Sequence, residues 1–316
     1  MIFRNPYKEI EGLMKRTHNP VNGYCECDDH VEVFVEKKLD MEEIYTHVTS
    51  IESPWEVDDI APDFCNKKPV KVIEIGEVRA HAADTRKYEP VPGGCQIQPV
   101  GANFVGTLGI IGKAPYFKGT YLVGRMQSFK RILDMIGISY DMKPVIVTNA
   151  HVAQLDIMSQ ELGQPIAQPQ GHNSLVGNVI WSSPFSRNKN FIDAAVASID
   201  SPALINEILQ LGGVRENRPV RVGEQVHKYG RTTKYTQGSC VREKAVVNIK
   251  FSDDLILPFH NVNLFSGMSS PGDSGSIIVA KEDGKAVSLL FAGSSTMTIG
   301  CPLAEVVKQS GVEIGN

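Results

Sequence analysis

Long apolar runs are missing from this sequence. No stretch approaches the roughly 20 apolar residues that a membrane-spanning helix needs. The N-terminal segment MIFRNPYKEIEGLMKR also lacks the continuous apolar run of a secretory signal. Both absences favour a cytoplasmic protein, or one released by a route that needs no signal.

The sequence also lacks a large excess of positive or negative charge. The 316 residues include 32 Lys and Arg against 36 Asp and Glu, so the net charge is −4. This balance argues against a general attraction to nucleic acid or to an anionic membrane. Hydrophobic residues make up 42% and charged residues 22% of the chain, which is ordinary for a globular protein with a sizeable core.

Cysteine is sparse, with six residues scattered through the chain. Without a secretory signal, such a set is best interpreted as free thiols. Cys25 and Cys27 form a C-x-C pair that could ligate a metal, but no second Cys/His cluster follows at zinc-site spacing. The favoured interpretation is that Cys25 and Cys27 are two residues on one face of a strand. The histidines other than His151 also lack ligand spacing, so we expect neither a metal nor an organic cofactor.

The first part of the chain predicts a small α/β module over residues 1–87. Segments 30–37 and 69–79 alternate apolar and polar residues, which is typical of half-exposed strands. Between them, residues 40–48 open with an Asp and an acidic first turn, which favours a short helix. The turn-rich stretch YEPVPGG at 88–94 predicts a linker, so this module is expected to be dispensable for chemistry that lies after it.

The remainder, residues 88–316, predicts an all-β unit. Short β-rich runs follow one another with turn residues between them, a pattern of barrels or sandwiches rather than of βαβ units. The end, CPLAEVVKQSG, predicts a short helix closed by Gly311. The predicted runs cover 102–112, 119–126, 143–148, 176–182, 193–199, 225–231, 238–251, 257–265, 275–280 and 287–293.

Three short blocks within this unit carry candidate chemistry. VIVTNAHVA at 145–153 runs from an apolar strand into a turn with His151. FIDAAVASI puts Asp193 at the head of a buried strand, and PGDSGSIIV puts Ser274 between two glycines before another apolar strand. A serine hydroxyl needs a base within hydrogen-bond reach, and the base needs an orienting carboxylate. The blocks therefore predict a catalytic triad of His151, Asp193 and Ser274.

Two other carboxylates compete for the orienting role. Asp156 follows His151 closely and could touch it only locally, and Asp200 lies at the far end of the strand that Asp193 begins. GDSG alone could also be a simple turn, but the two further blocks argue for chemistry. The backbone N–H groups of the turn then supply an oxyanion hole, predicted at Gly272, Asp273 and Ser274.

TNAHV, DAAVASI and PGDSGSIIV together resemble the motif blocks of trypsin-like serine peptidases over about residues 95–316. Two further stretches, GTLGIIG at 106–112 and VHKYGRTTKYTQGSCV at 226–241, are similar to the plant narrow-leaf proteases and their bacterial relatives, which also carry an N-terminal segment. The resemblance implies a mainly β chain with two six-stranded antiparallel β-barrels of the chymotrypsin type, preceded by the α/β module. It also implies a serine endopeptidase acting on proteins or peptides, with a homo-oligomer left open.

The sequence departs from the secreted digestive enzymes of that family. Val152 follows the histidine where those enzymes have a disulfide cysteine, and Ser276 replaces a glycine after the nucleophile. No activation site is evident that would deliver a new N-terminus to Asp273, so activation by cleavage is not expected.

By resemblance, the pocket for the residue before the scissile bond (P1) has Met268 at its base, with Ser269 beside it. Its wall is predicted to be Phe291, Ala292, Gly293 and Ser294. No acid marks this pocket, so an uncharged, small or apolar P1 residue is expected. Met268 could equally face the core, since methionine is a common gap-filler.

Two alternatives to a general endopeptidase remain at this point. The fold could serve as a binding or assembly module, since a fold does not guarantee an activity. The chain could also be a protease restricted to itself or to one partner. Arg231, in the GRTT stretch, could pair with a carboxylate near the active site.

Overall fold

The structure is a computed structural model and describes residues 21–26, 30–35, 70–74, 86–200, 204–214 and 216–315. Its helices are α1 (Gln127–Met135), α2 (Ala150–Ala153) and α3 (Leu303–Ser310), with 3-10 turns at Gly124–Met126 and His172–Ser174. Its strands are β1 (Val21–Glu26), β2 (Val31–Val35), β3 (Val70–Glu74), β4 (Val91–Gly93), β5 (Gln96–Pro99), β6 (Gly106–Thr107), β7 (Ile110–Phe117), β8 (Thr120–Tyr121), β9 (Asp141–Thr148), β10 (Pro165–Ala167), β11 (Leu175–Ser182), β12 (Ala195–Ala197), β13 (Leu204–Ile208), β14 (Gln225–Gly230), β15 (Lys234–Ser252), β16 (Leu255–Ser266), β17 (Ile277–Ala280), β18 (Ala286–Gly293) and β19 (Met297–Pro302).

The first large sheet has the order β6-β5-β10-β11-β12-β9-β7-β8. Its pairings are antiparallel, and β6 and β8 contribute only two residues each. Buried branched residues such as Ile97, Ile146 and Val179 fill one of the clusters inside it, because β-branched side chains pack well on a pleated surface. This sheet carries His151 just after β9 and Asp193 just before β12.

The second large sheet contains a ring of six strands in the order β14-β17-β18-β19-β16-β15, which the pairing of β14 with β15 closes. The strands of this ring are antiparallel neighbours. Ser274 lies just before β17, so the predicted nucleophile belongs to a different sheet from the predicted base. The two antiparallel sheets confirm the mainly β fold class.

Strands from the N-terminal region extend this second sheet. β1 pairs antiparallel with β15, β2 pairs with β1, and β3 runs parallel to β2. Strands are confirmed within 30–37 and 69–79 where residues are described. The half-exposed face expected for 30–37 is wrong, because all five residues of β2 are buried. The helix expected at 40–48 lies outside the described residues. Phe34 and Cys25 are buried in the same core cluster as barrel residues such as Phe259, so the N-terminal strands share a core with the second sheet.

The stretch 88–94, expected to be a linker, is packed against the first sheet. Val91–Gly93 forms β4, which is buried and pairs in parallel with β13. Gly94 N–H donates to Leu108 O at 2.6 Å, and Tyr88 N–H donates to the Gln168 side chain at 3.0 Å. Proline and glycine in this stretch therefore shape a short buried strand.

Several elements differ from the sequence expectation. Residues 119–126 were expected to form a strand, but β8 covers only Thr120–Tyr121, and a 3-10 turn leads into α1. α1 buries a single residue, Leu133. The closing helix α3 is confirmed, with Gly311 at φ 79° in the left-handed conformation that ends a helix. Among the described residues, no helix is long and apolar enough to span a bilayer.

Candidate functional site

His151 and Asp193 meet at the edge of the first sheet. β9 ends at Thr148, and the single turn of α2 carries His151. The Asp193 carboxylate contacts His151 Nδ1 through Oδ2 and accepts the N–H groups of Ala150 (2.7 Å) and His151 (3.2 Å) through Oδ1. The fully buried carboxylate therefore holds both the ring and the backbone of the histidine.

The backbone of Asp193 is anchored on both sides. Asn149 Nδ2 donates to Asp193 O at 2.7 Å, and Asp193 N–H donates to Cys301 Sγ at 3.2 Å. Burial, followed by the nearby charge of Asp193, raises the pKa of the Cys301 thiol well above its usual value. The sulfur thus acts as a neutral acceptor that connects Asp193 to β19 of the second sheet.

The two competing carboxylates bond elsewhere. Asp156 Oδ1 accepts the N–H of Met158 within its own loop. Asp200 Oδ2 accepts from the Asn178 side chain at 2.5 Å. Of the three candidates, Asp193 is the one that contacts His151.

Ser274 sits in a tight turn before β17. Gly272 and Gly275 on either side have φ of 97° and 99°, a region that residues with a side chain rarely adopt. A Cβ at Gly275 would also overlap the Thr107 carbonyl oxygen. The Ser274 hydroxyl donates to Phe291 O at 3.2 Å, while His151 Nε2 is buried without a hydrogen-bond partner among the described residues.

Backbone N–H groups of this turn differ in their partners. Asp273 N–H donates to Ser270 O at 3.1 Å, and Gly275 and Ser276 N–H donate to Leu290 O and Asp273 O. Within the described part of the chain, the N–H groups of Gly272 and Ser274 have no acceptor. Asp273 was expected to be a third oxyanion donor, but its N–H is engaged inside the turn. The N–H groups of Gly272 and Ser274 are thus available to an oxyanion, whereas the N–H group of Asp273 is not.

Thr107 connects the histidine and serine segments. Thr148 Oγ1 donates to Thr107 O at 2.8 Å, on the strand that leads to His151. Thr107 Oγ1 donates to Gly272 O, and Thr107 N–H donates to Ser274 O, both at 2.7 Å. This single residue of β6 therefore fixes the serine turn against the end of β9.

Asp273 forms an ion pair in the interior. Lys228 Nζ of β14 lies 3.0 Å from Asp273 Oδ2, and both side chains are 0% exposed. The same carboxylate accepts the N–H groups of Thr232 (2.9 Å) and Ser270 (3.0 Å). A Cβ at Gly230 would come within 2.5 Å of Asp273 Oδ1, so the glycine lets β14 approach the carboxylate.

Lys228 thus supplies the internal cation for Asp273, in a chain where no activation cleavage is expected. Burial lowers the pKa of Lys228 from its usual value, and the Asp273 charge and hydrogen bond oppose this shift without cancelling it. A buried lysine shifts in this direction because the charged form loses its hydration. Lys228 forms the ion pair with Asp273, and the prediction that Arg231 pairs with a carboxylate near the active site stays a prediction.

No protein-family model and no curated protein matches the sequence. Solved structures are similar: protease A of Thermobifida fusca has a TM-score of 0.50 at 14% identity, over 72% of this chain and 98% of that one. A Nocardiopsis protease has a TM-score of 0.47 at 16% identity, over 72% and 99% of the two chains. A chymotrypsin of Cellulomonas bogoriensis has a TM-score of 0.47 at 16% identity, over 71% and 97%.

The chain has a chymotrypsin-like fold. This confirms the predicted fold, whereas the predicted similarity to plant narrow-leaf proteases stays a prediction. At such low identities the likeness extends to the fold alone, so the chemistry has to be argued from the residues of this chain.

In this chymotrypsin-like fold, the six residues predicted to bind substrate lie on two neighbouring segments, 268–269 and 291–294. Met268 is 4% exposed, and its side chain belongs to the core cluster of Cys240, Phe265 and Leu290. The Phe291 ring stacks on Phe259 at 4.7 Å between centroids. The side chains of Met268 and Phe291 therefore point into the core.

Ser269, Gly293 and Thr298 lie together where these two segments meet. Ser269 Oγ lies 2.7 Å from Thr298 Oγ1, which also accepts Met268 N–H at 3.0 Å. Thr298 pairs with Gly293 across β18 and β19 and is fully buried. A Cβ at Gly293 would come within 2.9 Å of Ser269 Oγ. Alanine at 292 is buried on the same strand, and Ser294 accepts the N–H groups of Thr296 and Met297.

The sequence reasoning missed Thr107, Lys228 and Thr298. Thr107 and Lys228 lie in the two stretches GTLGIIG and VHKYGRTTKYTQGSCV, which were singled out for their resemblance without a role for these residues. Nothing in the local sequence around Lys228 indicates that this lysine pairs with Asp273. Its role depends on the pairing of β14 with β17.

Proposed function

We propose that the chain is a serine endopeptidase in which Ser274 is the nucleophile, His151 the base and Asp193 the orienting carboxylate. The observation that carries the proposal is the buried Asp193 carboxylate, which contacts His151 Nδ1 and leaves Nε2 without a partner among the described residues. An imidazole oriented in this way can take up a proton at Nε2. The serine turn is tied to the histidine strand through Thr107.

The reaction follows from these contacts. The Ser274 hydroxyl leaves Phe291 O, donates its proton to His151 Nε2 and attacks the carbonyl carbon of the scissile bond. Asp193 stabilises the resulting imidazolium, and the Gly272 and Ser274 N–H groups stabilise the oxyanion. His151 then gives the proton to the leaving amine. Water repeats the sequence on the acyl-enzyme and restores Ser274.

The substrate in this proposal is a protein or peptide with a small, uncharged P1 residue. We propose that a peptide laid beside the end of β18 directs its P1 side chain toward segments 268–269 and 291–294, and that the Ser269–Thr298 hydroxyl pair limits how far this side chain enters. These two segments contain no acidic residue, and a buried cationic P1 side chain without a partner would lose several kcal/mol, of the order known for unpaired buried ions.

The direct test is reaction with a small fluorophosphonate, followed by intact mass measurement. We expect one label on the wild-type chain, none on Ser274→Ala, and retained labelling of Ser276→Ala, a neighbouring buried serine whose hydroxyl bonds Asp273 O. Turnover of a peptide should fall by about a millionfold in Ser274→Ala. Folded wild-type protein that takes up no label would point to a binding or assembly module instead.

A protease restricted to itself or to one partner would label in the same way. Mapping the peptide bonds cut in a complex protein mixture, with Ser274→Ala as the blank, separates these cases. Many cleaved proteins would support a general endopeptidase. Cleavage of this chain alone, or of one protein, would support the restricted form.

A further inference from the structure

A long hairpin of the second sheet reaches the histidine of the first. It consists of β15, with 19 residues, and β16, with 12. Near its tip, the ring of Phe251 meets the ring of His151 edge-on, with centroids 5.7 Å apart and planes at 67°. Edge-to-face geometry at this separation is an attractive aromatic contact. Phe251 therefore contacts the imidazole on a side that Asp193 does not hold.

Phe251 occupies an irregular position in the hairpin. Lys250 pairs with Ile256 and Ser252 pairs with Leu255, so two steps on β15 match one step on β16. Bulges are common beside active sites. Phe251 keeps the alternation of Ala245, Val247 and Ile249, whose side chains face the same core cluster. Its ring packs against Phe185 at 5.6 Å and Phe259 at 6.1 Å between ring centroids. The alternation and these rings together direct Phe251 toward His151.

The hairpin also holds the segment that leads to Asp193. Asn190, three residues before Asp193, donates its N–H and its Nδ2 to Pro258 O, both at 3.0 Å. His260 N–H in turn donates to Asn190 O at 2.8 Å. The hairpin thus contacts His151 directly and also holds the segment that precedes Asp193.

The other edge of β15 is covered by β1. Gly23 lies opposite Val247 and Tyr24 opposite Val246. A Cβ at Gly23 would overlap the Val246 carbonyl oxygen, so the two strands meet in close backbone contact. Val247 is fully buried in the same core cluster against which Phe251 packs. The position of β1 therefore constrains the part of β15 that ends in Phe251.

We propose that Phe251 is a positioning residue for His151 and that β1 sets the position of Phe251. The N-terminal strands then tune the catalytic centre through the hairpin, without touching it. This inference rests on the proposed function for its kinetic consequence. Its structural content, the dependence of the His151 ring on Phe251 and β1, does not.

The first experiment replaces Phe251 in the full chain. Fluorophosphonate labelling of Ser274 should slow by about 10- to 100-fold in Phe251→Ala, the loss known for small misplacement of a reacting group. The concentration for half-saturation with a peptide substrate should stay within about twofold. Phe251→Tyr, which keeps the ring, should recover the wild-type rate. Ile256→Ala is the control, because Ile256 is 44% exposed on the same hairpin.

The second readout is the ring resonances of His151 in NMR spectra, assigned by their loss in His151→Gln. They should move in Phe251→Ala and stay in place in Ile256→Ala. The contact between β1 and β15, called the seam below, is tested by Gly23→Ala, which should move the same resonances and slow labelling. Gly213→Ala is its control, because a Cβ there meets no atom closer than 3.6 Å. Tyr24→Ala, which removes a buried seam side chain without a clash, is measured in parallel in case Gly23→Ala does not fold.

The outcomes separate the two proposals. A wild-type chain that takes up no label would refute the proposed function, and the resonances would still test the inference. Labelling and resonances unchanged in folded Phe251→Ala would refute the role of Phe251. If Phe251→Ala behaves as expected but neither folded seam variant moves the His151 resonances, control by the N-terminal strands is refuted.

Discussion

Lys228 Nζ and Asp273 Oδ2 lie 3.0 Å apart with both side chains completely buried. Asp273 directly precedes the proposed nucleophile, and its carboxylate also accepts N–H groups from segments 232–233 and 270. The cation therefore holds the turn whose N–H groups are proposed to bind the oxyanion. Because Lys228 belongs to the same chain, this arrangement needs no cleavage to form.

Removing the cation should damage both stability and chemistry. In Lys228→Met, Asp273 keeps its hydrogen bonds from segments 232–233 and 270 but loses its cation, and breaking a buried ion pair on one side typically costs about 3–5 kcal/mol. We expect urea denaturation to show a loss of this size and fluorophosphonate labelling to become undetectable. Lys228→Arg should recover part of both. Lys281→Met, which removes an exposed lysine that bonds Gln237, should change neither. Full labelling of Lys228→Met would refute this role of the ion pair.

Activity should fall at alkaline pH. Burial lowers the pKa of Lys228, so the lysine loses its proton below the pH at which an exposed lysine does. Once neutral, it no longer holds Asp273, and the labelling rate should decline along this limb. The chain itself should stay folded there, because the neutral amine can still donate hydrogen bonds, as methionine cannot. The unfolded state keeps the proton longer, so this group makes unfolding less favourable as pH rises through the window.

The check is a comparison of the pH dependence of labelling with that of circular dichroism. The alkaline limb of labelling should move upward in Lys228→Arg, because guanidinium stays protonated. A limb that coincides with unfolding, or that does not move in Lys228→Arg, would contradict the assignment.

The P1 pocket should accept small residues. In a series of peptides that differ only at P1, we expect Ala, Ser and Val to exceed Phe and Lys in kcat/KM by at least about tenfold, since pocket fit discriminates at this level per carbon group. Thr298→Ala removes part of the closing pair and should raise kcat/KM for Leu and Phe relative to Ala. Ser128→Ala, in α1 and outside both segments, removes only an exposed hydroxyl that donates to Arg125 O and should leave the order unchanged. A wild-type preference for Phe or Lys would refute a pocket closed by Ser269 and Thr298.

Residues 88–316 expressed alone should be less stable than the full chain. The sequence predicts a separable module before residue 88, but β1 covers the edge of β15 and Phe34 is buried in the common core. Truncation would expose a long edge strand and apolar surface, which favours aggregation. Solubility and thermal unfolding of the fragment measure this. A soluble fragment that unfolds at the same temperature as the full chain would show that the module is separable.

The sequence alone indicates the local parts of the proposed site. Glycines at 272 and 275 predict a turn that presents Ser274, and their positive φ angles show why side chains are excluded there. TNAHV and FIDAAV predict His151 and Asp193 because each follows or begins an apolar strand. Alternation of apolar and polar residues also predicts strands, such as the one within 30–37, where residues are described. These features depend on a few consecutive residues.

What the tertiary structure decided is which distant residues support these parts. Lys228 is 45 positions from Asp273, and Thr107 is 165 positions from Gly272. Phe251 lies 100 positions from His151 in sequence, yet their rings meet because the hairpin of the second sheet reaches the first. The sequence pattern could not foretell these contacts, since it records which face of a strand is apolar but not which strand becomes its neighbour. Register and strand order are set by the packing of the whole core, and the cation, the bridging threonine and the aromatic contact are all consequences of that packing.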